Sequence, residues 1–501
     1  MNNIEKIKQE SSDNNDIKRL SKDSLTYGIA VIIPALIGIA SIYIYTHIFS
    51  VEQYGEYNQI FNTTLLITTL FSQWIQQSIQ RYRPLYRKNG DLKKFDENLI
   101  NLLFCMLVLI VAIGGLIGGF KDILGRYERY YWVCILLICT QFTFLILGAI
   151  LQSDFKVKTY KNYNILTSAL KFSIGLLLIF YIEKNPINIV NGLILGQLLL
   201  LGFMFQSTGL SLRRFNPKRI YETFEFMKMF VIYGFPMIGW FIGNSILNLA
   251  DRYMLEGLAS LKDVGIYSAN YSIVSASLGL LTTPLLTAAH PIIMNKAGKS
   301  PDNEIQNIIS FFSRIYLIIS LPLLVIVFVF HQEVTQLFLG KAYREGSIII
   351  PILFLGSILW NLGMYGHKGY EIKEKTQIML GFVIICAIVN VFLNLIFIPA
   401  YGYKGASIAT LISMSIYPIL IYIFSYRYIK WKLAFISLIK VLMCCSIVYL
   451  SLEVFKSIYT SNSFIQLLAG GVIGVIVYML SLLLSKEIDY EVVKKIKTKI
   501  F

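Results

Sequence analysis

Residues 25–48 read LTYGIAVIIPALIGIASIYIYTHI, a stretch that contains no Asp, Glu, Lys or Arg. As a helix it would extend about 36 Å, which exceeds the roughly 30 Å thickness of a bilayer's hydrocarbon core. The stretch is too long for the apolar part of a signal peptide, and no small-residue cleavage site follows it. We therefore predict that it is retained as a membrane-spanning helix.

Similar apolar stretches recur along the whole chain. The 501 residues are 56% hydrophobic and only 15% charged, with a mean hydropathy of +0.63. Soluble globular chains are less apolar and more charged. On a 20-residue criterion we count about fourteen spans, centred near residues 37, 68, 109, 140, 172, 196, 237, 275, 318, 357, 387, 414, 442 and 474. The sequence therefore predicts an all-α, polytopic membrane protein.

The net charge of +16 comes from basic residues in the short segments between the spans. Assigning these segments to alternate sides puts about 30 Lys and Arg on the side of both termini and about 10 on the other. Since basic loops stay inside, we predict a multi-pass protein of the inner (cytoplasmic) membrane with both termini in the cytoplasm. Orientation explains the charge, so we expect no nucleic-acid partner.

The sequence offers no sign of an enzyme or of a bound metal. Its six cysteines all lie in apolar stretches, without disulfide or zinc spacing. The connecting segments are too short for an ATPase, kinase or glycosyltransferase domain, and a membrane polymerase or ligase would be expected to carry a large outer loop. We predict a transporter with no catalytic residues and no cofactor, leaving H+ or Na+ coupling open.

A short pattern occurs twice, which predicts two related halves. Residues 34–38 read PALIG and residues 52–57 read EQYGEY, whereas residues 236–239 read PMIG and residues 262–267 read KDVGIY. Six spans and six more with equal orientation predict two bundles related by a pseudo-two-fold axis along the membrane normal, as in transporters. Pro34 and Pro236 break the helical hydrogen bonds at matched places, so we predict that they are hinges.

The predicted organisation follows from this repeat. It comprises a polar cytoplasmic tail (1–24), a six-helix bundle (25–210), a cytoplasmic linker (211–225), a second six-helix bundle (226–430), two additional transmembrane helices (431–485) and a basic cytoplasmic tail (486–501).

Four segments carry a family resemblance. They are YGFPM (233–237), LADRYML (249–255), VGIYSANY (264–271) and FLNLIFIPAYGYKGASIAT (392–410). These segments resemble the Wzx-type O-antigen and capsule flippases of the multidrug/oligosaccharidyl-lipid/polysaccharide (MOP) superfamily, which also contains the MATE exporters and the lipid II flippase. The resemblance implies a MATE-like fold and alternating-access transfer of an undecaprenyl-pyrophosphate-linked oligosaccharide to the outer leaflet. It further implies a polysaccharide polymerase and chain-length machinery as partners.

An anionic lipid-linked cargo calls for cations inside the membrane. Lys171 lies about 14 Å into its predicted span, too deep to reach the headgroups easily, and is the strongest candidate. Arg314 and Lys440 lie nearer the cytoplasmic edge, from which a long side chain can also extend to the surface. Arg81 lies at the predicted inward mouth, where the positive-inside rule alone also places basic residues. We predict that these four cations bind the substrate.

Asp251 and Arg252 fall at the predicted outer end of the seventh span. They are candidates for an outer gate closed by an ion pair, and an exposed helix end is the alternative. We find no Asp or Glu at mid-depth in any predicted span. Since exporters of cationic drugs are expected to exchange their cargo against a buried carboxylate, this favours an anionic cargo. A MATE-type multidrug exporter and a lipid II flippase remain the alternative functions.

Overall fold

The structure is a computed structural model that describes residues 29–211, 215–216, 219–296, 300–459 and 462–487, apart from some side chains within these ranges. The described residues form helices joined by short connections, and no strand occurs among them. An all-α architecture, as predicted, is confirmed.

Fifteen helices are labelled here in chain order. They are α1 (Ile29–Ile48), α2 (Val51–Lys88), α3 (Leu92–Gly118), α4 (Tyr131–Ser153), α5 (Val157–Tyr181), α6 (Ile187–Thr208), α7 (Ile220–Leu258), α8 (Leu261–Lys296), α9 (Asp302–Val329), α10 (His331–Phe338), α11 (Ile349–Gly366), α12 (Lys368–Ile372), α13 (Thr376–Phe424), α14 (Phe435–Ile458) and α15 (Ser463–Leu484). Short 3-10 helices occur at Lys121–Tyr130, Lys341–Ile348 and Ser425–Arg427.

Eleven helical segments of the described chain are long and apolar enough to cross a membrane. The protein is therefore a multi-pass membrane protein, whereas the count of fourteen spans stays a prediction. Three features separate the numbers. The 49-residue helix α13 contains Gly402 at φ +55°, a left-handed conformation that interrupts the helix between the predicted spans centred near 387 and 414. Helix α2 is long but too polar to be among the eleven. Helix α7, several of whose side chains lie outside the described part of the chain, is not among them either.

The chain divides into two compact units. Unit 1 comprises Met1–Ser41 and Glu56–Ser245. Its core contains side chains from α2, α3, α4 and α7, with Phe95, Phe142 and Phe230 fully buried. Helix α6 packs along both α4 and α5.

Unit 2 comprises Ile42–Gly55 and Ile246–Phe501. Its helices α9, α14 and α15 share an apolar core that includes Phe330, Val448 and Leu452. Helix α11 packs along α13 and also contacts α8 and α9.

The boundary between the units does not coincide with the predicted linker 211–225. It falls between Ser245 and Ile246, inside the continuous helix α7, and the predicted linker belongs to unit 1. Residues 42–55 belong to unit 2 because hydrogen bonds hold them there: the Gly340 N–H donates to Thr46 Oγ1 at 3.1 Å, and the Tyr343 hydroxyl donates to the Ser50 carbonyl at 2.8 Å. The predicted pseudo-symmetry of two six-helix bundles stays a prediction.

Candidate functional site

Lys171 lies in the interior of α5, about 21 Å from its start at Val157 and about 15 Å from its end at Tyr181. Its side chain is half-buried, and among the described residues it has no carboxylate partner. A lysine at such depth is costly unless it faces protein, water or an anionic ligand. Among the described residues Lys171 is thus a cation without a countercharge, and its role in substrate binding stays a prediction.

Two glycines of α6 bring this helix against the backbone of Lys171. A Cβ atom on Gly196 would lie 2.8 Å from the Lys171 nitrogen, and one on Gly192 would lie 2.8 Å from the Lys171 carbonyl oxygen. Such close backbone approach through small residues is typical of helix packing in membranes. Lys171 is thus placed by a rigid helix pair and not by a mobile loop.

Polar atoms accompany Lys171 on these two helices. Thr167 lies one turn before it on α5, and Gln197 follows Gly196 on α6; both side chains are buried. The Thr167 hydroxyl and the Gln197 carbonyl oxygen have no hydrogen-bond partner among the described residues. Buried polar atoms usually have a partner, so these two are available to a ligand or to water. The sequence alone did not single them out.

Arg81 and Arg83, two residues apart on α2, have different environments. Arg81 is exposed, and its guanidinium lies 4.3 Å from the centre of the Tyr233 ring. Arg83 is buried and donates to Asp154 at 2.7 Å and to Asp96. Because its charge is balanced by two carboxylates, Arg83 holds α2, α3 and α4 together. Arg81 remains accessible to an anion.

Arg314 and Lys440 both lie beside one carboxylate. Arg314 Nε donates to Glu487 Oε1 at 2.7 Å, and Lys440 Nζ lies 3.8 Å from Glu487 Oε2. The Ser437 hydroxyl also donates to Glu487. The structure thus groups these two predicted substrate cations, from α9 and α14, around a buried acidic residue that follows α15. Their charge is partly compensated, unlike that of Lys171.

Asp251 is the centre of a buried polar cluster in unit 2. Only 1% of it is exposed. Its carboxylate accepts hydrogen bonds from the Tyr267 hydroxyl and the Thr410 hydroxyl, both at 2.5 Å, and from the Asn394 amide at 2.6 Å. These donors lie on α8 and on both sides of the break in α13. The alternative of an exposed helix end at Asp251 is therefore wrong.

Further oxygen atoms adjoin this carboxylate. The Asn394 amide donates to Asn390 Oδ1 at 3.1 Å, and the Asn390 amide donates to Ser413 Oγ at 3.3 Å. The Asn394 Oδ1 atom is buried without a hydrogen-bond partner among the described residues. A buried carboxylate among neutral amide and hydroxyl groups is the kind of group found on ion and proton pathways of membrane transporters.

This cluster corrects one expectation from the sequence. We expected no Asp or Glu at mid-depth in any predicted span, and therefore interior charges of one sign only. The sequence placed Asp251 near the outer end of a predicted span, a position that suggests contact with water. The structure buries it, so the absence of an interior carboxylate no longer separates an anionic from a cationic cargo.

Arg252, the other predicted gate residue, is also buried in unit 2. Its Nε donates to Ser268 Oγ at 3.2 Å, and its guanidinium lies 4.9 Å from the centre of the Tyr271 ring. Both partners belong to α8, so Arg252 fastens α7 to α8. Its role in a gate stays a prediction.

The structure describes the two predicted hinge residues to different extents. Pro34 lies inside α1, which continues through it as a helix. The side chain of Pro236, in α7, lies outside the part of the chain that the structure describes. The hinge role of both prolines stays a prediction.

Unit 2 also contains an apolar groove of about 590 Å³. Helices α9, α11, α13 and α14 form it. Its lining includes Leu324, Phe328, Leu355, Leu411, Leu442 and Leu450, with Ser446 and Tyr449 among its few polar residues. Sequence patterns could not reveal this groove, because its walls come from four separate helices.

Comparisons with known proteins agree with this architecture. Residues 20–297, more than half of the chain, match the family described as polysaccharide biosynthesis protein, and residues 236–396 match the MatE family. A relative, the probable low-salt glycan biosynthesis flippase Agl15 of Haloferax volcanii, is 21% identical over 77% of this chain and 78% of its own length.

Solved structures share the fold. The lipid II flippase MurJ in an inward closed conformation superposes with a TM-score of 0.74 at 16% identity, covering 91% of this chain and 98% of MurJ. An inward-facing MATE multidrug transporter gives a TM-score of 0.63 at 15% identity, covering 80% of this chain and 97% of that chain. The chain therefore belongs to the polysaccharide biosynthesis protein family and has the fold of the MOP superfamily.

Proposed function

We propose that the protein is a flippase that moves an undecaprenyl-pyrophosphate-linked oligosaccharide, the repeat unit of an O-antigen, capsule or similar surface polysaccharide, from the cytoplasmic to the outer leaflet. It acts as a transporter and not as an enzyme. The observation that carries the proposal is Lys171, an uncompensated cation in the interior of an apolar helix. Membership of the polysaccharide biosynthesis family and the glycan flippase named among its relatives support it.

Lys171 and Arg81 are the side chains best suited to the pyrophosphate. Lys171 has no carboxylate partner among the described residues, and Arg81 is exposed with its guanidinium against an aromatic ring. A doubly charged pyrophosphate would form charge-assisted hydrogen bonds with such cations. Arg314 and Lys440 share Glu487 and could contribute only after that contact loosens.

The groove in unit 2 suits the lipid part of the cargo. Its walls are almost wholly leucine, isoleucine, valine and aromatic side chains. A polyprenyl chain placed there would exchange one apolar environment for another at little cost while the polar head crosses. The groove therefore favours a lipid-linked cargo over a small water-soluble one.

The Asp251 cluster is the candidate for coupling to H+ or Na+. Binding of either ion would neutralise a carboxylate that bridges α7, α8 and α13. We propose that this neutralisation alters the packing of these helices and drives alternating access, with Pro34 and Pro236 as hinges and Asp251 and Arg252 near the outer gate. The inner membrane, cytoplasmic termini and partner polymerase belong to the same proposal.

A cell-based assay tests the proposal directly. We expect deletion of the gene to abolish the surface polysaccharide and to leave its lipid-linked repeat unit on the cytoplasmic face. Restoring the gene with Lys171→Met should reduce flipping at least about tenfold, since one lost charge-assisted contact is worth about 1.5–3 kcal/mol. Lys171→Arg should retain most activity. The exposed Lys158, also on α5, provides the matched control Lys158→Met.

Two results would each favour another function. The MatE match over residues 236–396 and the buried Asp251 both suit a cation-coupled multidrug exporter. Normal surface polysaccharide in the deletion strain, together with increased sensitivity to cationic drugs, would support the exporter and contradict the flippase. Failure of growth with accumulated lipid II would instead identify a lipid II flippase.

A further inference from the structure

Helix α2 carries a stripe of amide side chains along one face. Its members are spaced three residues apart, with one adjacent pair and one gap of eleven residues. They are Gln59, Asn62, Gln73, Gln76, Gln77 and Gln80, with Thr69 filling a position between them. At 1.5 Å per residue the stripe is about 32 Å long, which matches the thickness of the hydrocarbon core. These amides, called here the amide stripe, are the reason that α2 is not among the apolar spans.

The opposite face of α2 forms the contact with the rest of unit 1. Trp74, Ile75 and Ile79 are buried in the core of that unit. The Ser78 hydroxyl donates to the Phe230 carbonyl at 3.0 Å. Because these residues lie on the far side of the helix, Gln73, Gln76 and Gln77 do not belong to the face by which this part of α2 packs into the core, whereas Gln59 and Asn62 are buried.

Part of the hydrogen bonding of the amide stripe is local. Gln76 donates to Ser72 at 3.0 Å and to Gln73 at 3.5 Å, both on its own helix, whereas Gln80 donates to Gln152 of α4 at 3.0 Å. Amides that serve only to join membrane helices are expected to bond across them. Bonds within α2 leave the side chains able to exchange partners.

Asn62 gives independent evidence for a ligand. Only 8% of it is exposed, and its amide nitrogen has no hydrogen-bond partner among the described residues. A buried amide donor without a partner costs about 1–3 kcal/mol. Such a cost is acceptable where a ligand supplies the missing acceptor.

We propose that the amide stripe binds the uncharged sugars of the lipid-linked cargo, an inference that rests on the proposed function. An amide both donates and accepts hydrogen bonds, and so does a sugar hydroxyl, whereas a pyrophosphate only accepts at its charged oxygens. Arg81 directly follows the last amide. The order along α2 therefore matches the order in the cargo, with a cation for the pyrophosphate next to amides for the glycan.

The chemistry also explains why the amide stripe carries no charge. Neutral hydrogen bonds contribute about 0.5–1.5 kcal/mol each, so successive sugars are held weakly and can exchange from one amide to the next. A row of cations along α2 would instead bind the pyrophosphate and hold it there. The amide stripe thus recognises the glycan without preventing its release.

The test compares two probes with full-length protein in lipid nanodiscs. The probes are bare undecaprenyl pyrophosphate and the same lipid carrying a neutral oligosaccharide. We expect the double variant Gln73→Leu/Gln77→Leu to bind the glycan-bearing probe about tenfold or more weakly and the bare lipid with unchanged affinity. The double variant Gln73→Asn/Gln77→Asn keeps the amide groups. It should therefore retain part of the wild-type preference for the glycan-bearing probe over the bare lipid. Gln141→Leu, an equivalent change in α4 outside the amide stripe, should change neither affinity.

The outcomes are distinct. Unchanged binding of both probes by the leucine double variant would overturn the role of the amide stripe, and so would an equal loss for both probes, which indicates a structural defect. If the wild-type protein bound neither probe, the proposed function itself would fail. Unfolding temperatures of all variants distinguish loss of the fold from loss of binding.

Discussion

At the scale of single residues, Arg83 shows how strongly one buried charge depends on its partners. It donates to Asp96 and Asp154, and only 2% of its side chain is exposed. We expect Arg83→Met to destabilise the protein by about 3–5 kcal/mol, because two carboxylates would lose their main countercharge. Arg87→Met, which removes a 42% exposed partner of the same Asp154, should cost about 1 kcal/mol or less. Denaturant unfolding in detergent measures the free energy of unfolding of both variants. Equal losses of stability would contradict the expectation.

Asp251 gives a prediction about coupling at the same scale. We expect Asp251→Asn to fold but to lose the response of transport to an imposed H+ or Na+ gradient, since an amide neither releases a proton nor carries a negative charge. Asp302→Asn is the control, because Asp302 is exposed and pairs with Lys373 at 3.1 Å. Transport by Asp251→Asn that still follows the gradient would show that coupling occurs elsewhere.

At the scale of elements, the repeated glycines of the sequence have a packing role. A Cβ atom on Gly265, near the start of α8, would lie 2.1 Å from the Val51 carbonyl oxygen, and one on Gly55 would lie 3.0 Å from the Gly265 nitrogen. The sequence showed both glycines within a pattern that occurs twice. It did not predict that the two helix starts contact each other.

This contact predicts opposite effects for two glycines of α8. We expect Gly265→Ala to destabilise the protein by about 1–3 kcal/mol, because the neighbouring atoms are backbone and must move apart. Gly279→Ala should be neutral or stabilising by up to about 1 kcal/mol, since nothing lies within 4 Å of the added Cβ. The unfolding temperatures of both variants test this expectation. A larger loss of stability for Gly279→Ala would contradict the packing described.

At the scale of the whole molecule, the apolar groove of unit 2 depends on four helices at once. We expect Leu450→Trp to fill part of it and to weaken binding of a glycan lipid with a long polyprenyl chain, while binding of the same head group on a short chain stays unchanged. Ile436→Trp, on the exposed face of α14, is the matched control. Equal effects on long-chain and short-chain substrates would argue against lipid binding in the groove.

By itself, the sequence determined what depends on composition and on spacing along one helix. Apolar stretches of about 20 residues predict a many-helix membrane protein in any arrangement, because only a helix satisfies its backbone hydrogen bonds within a single stretch. Lys171 could be recognised in the same way, from its depth within one predicted span. The paired glycines Gly55 and Gly265 were visible as a repeat, although not as a contact.

Only the tertiary structure decided which charges are balanced and which are available. Glu487 lies 173 residues from Arg314 in the sequence and compensates it in space, and Asp251 is buried by partners that follow it by up to 159 residues. Electrostatic interactions act through space and not along the chain, so burial and pairing cannot be read from local patterns. That is why the sequence could name the cations as candidates but could not distinguish Lys171 from Arg314 and Lys440 by the partners they have.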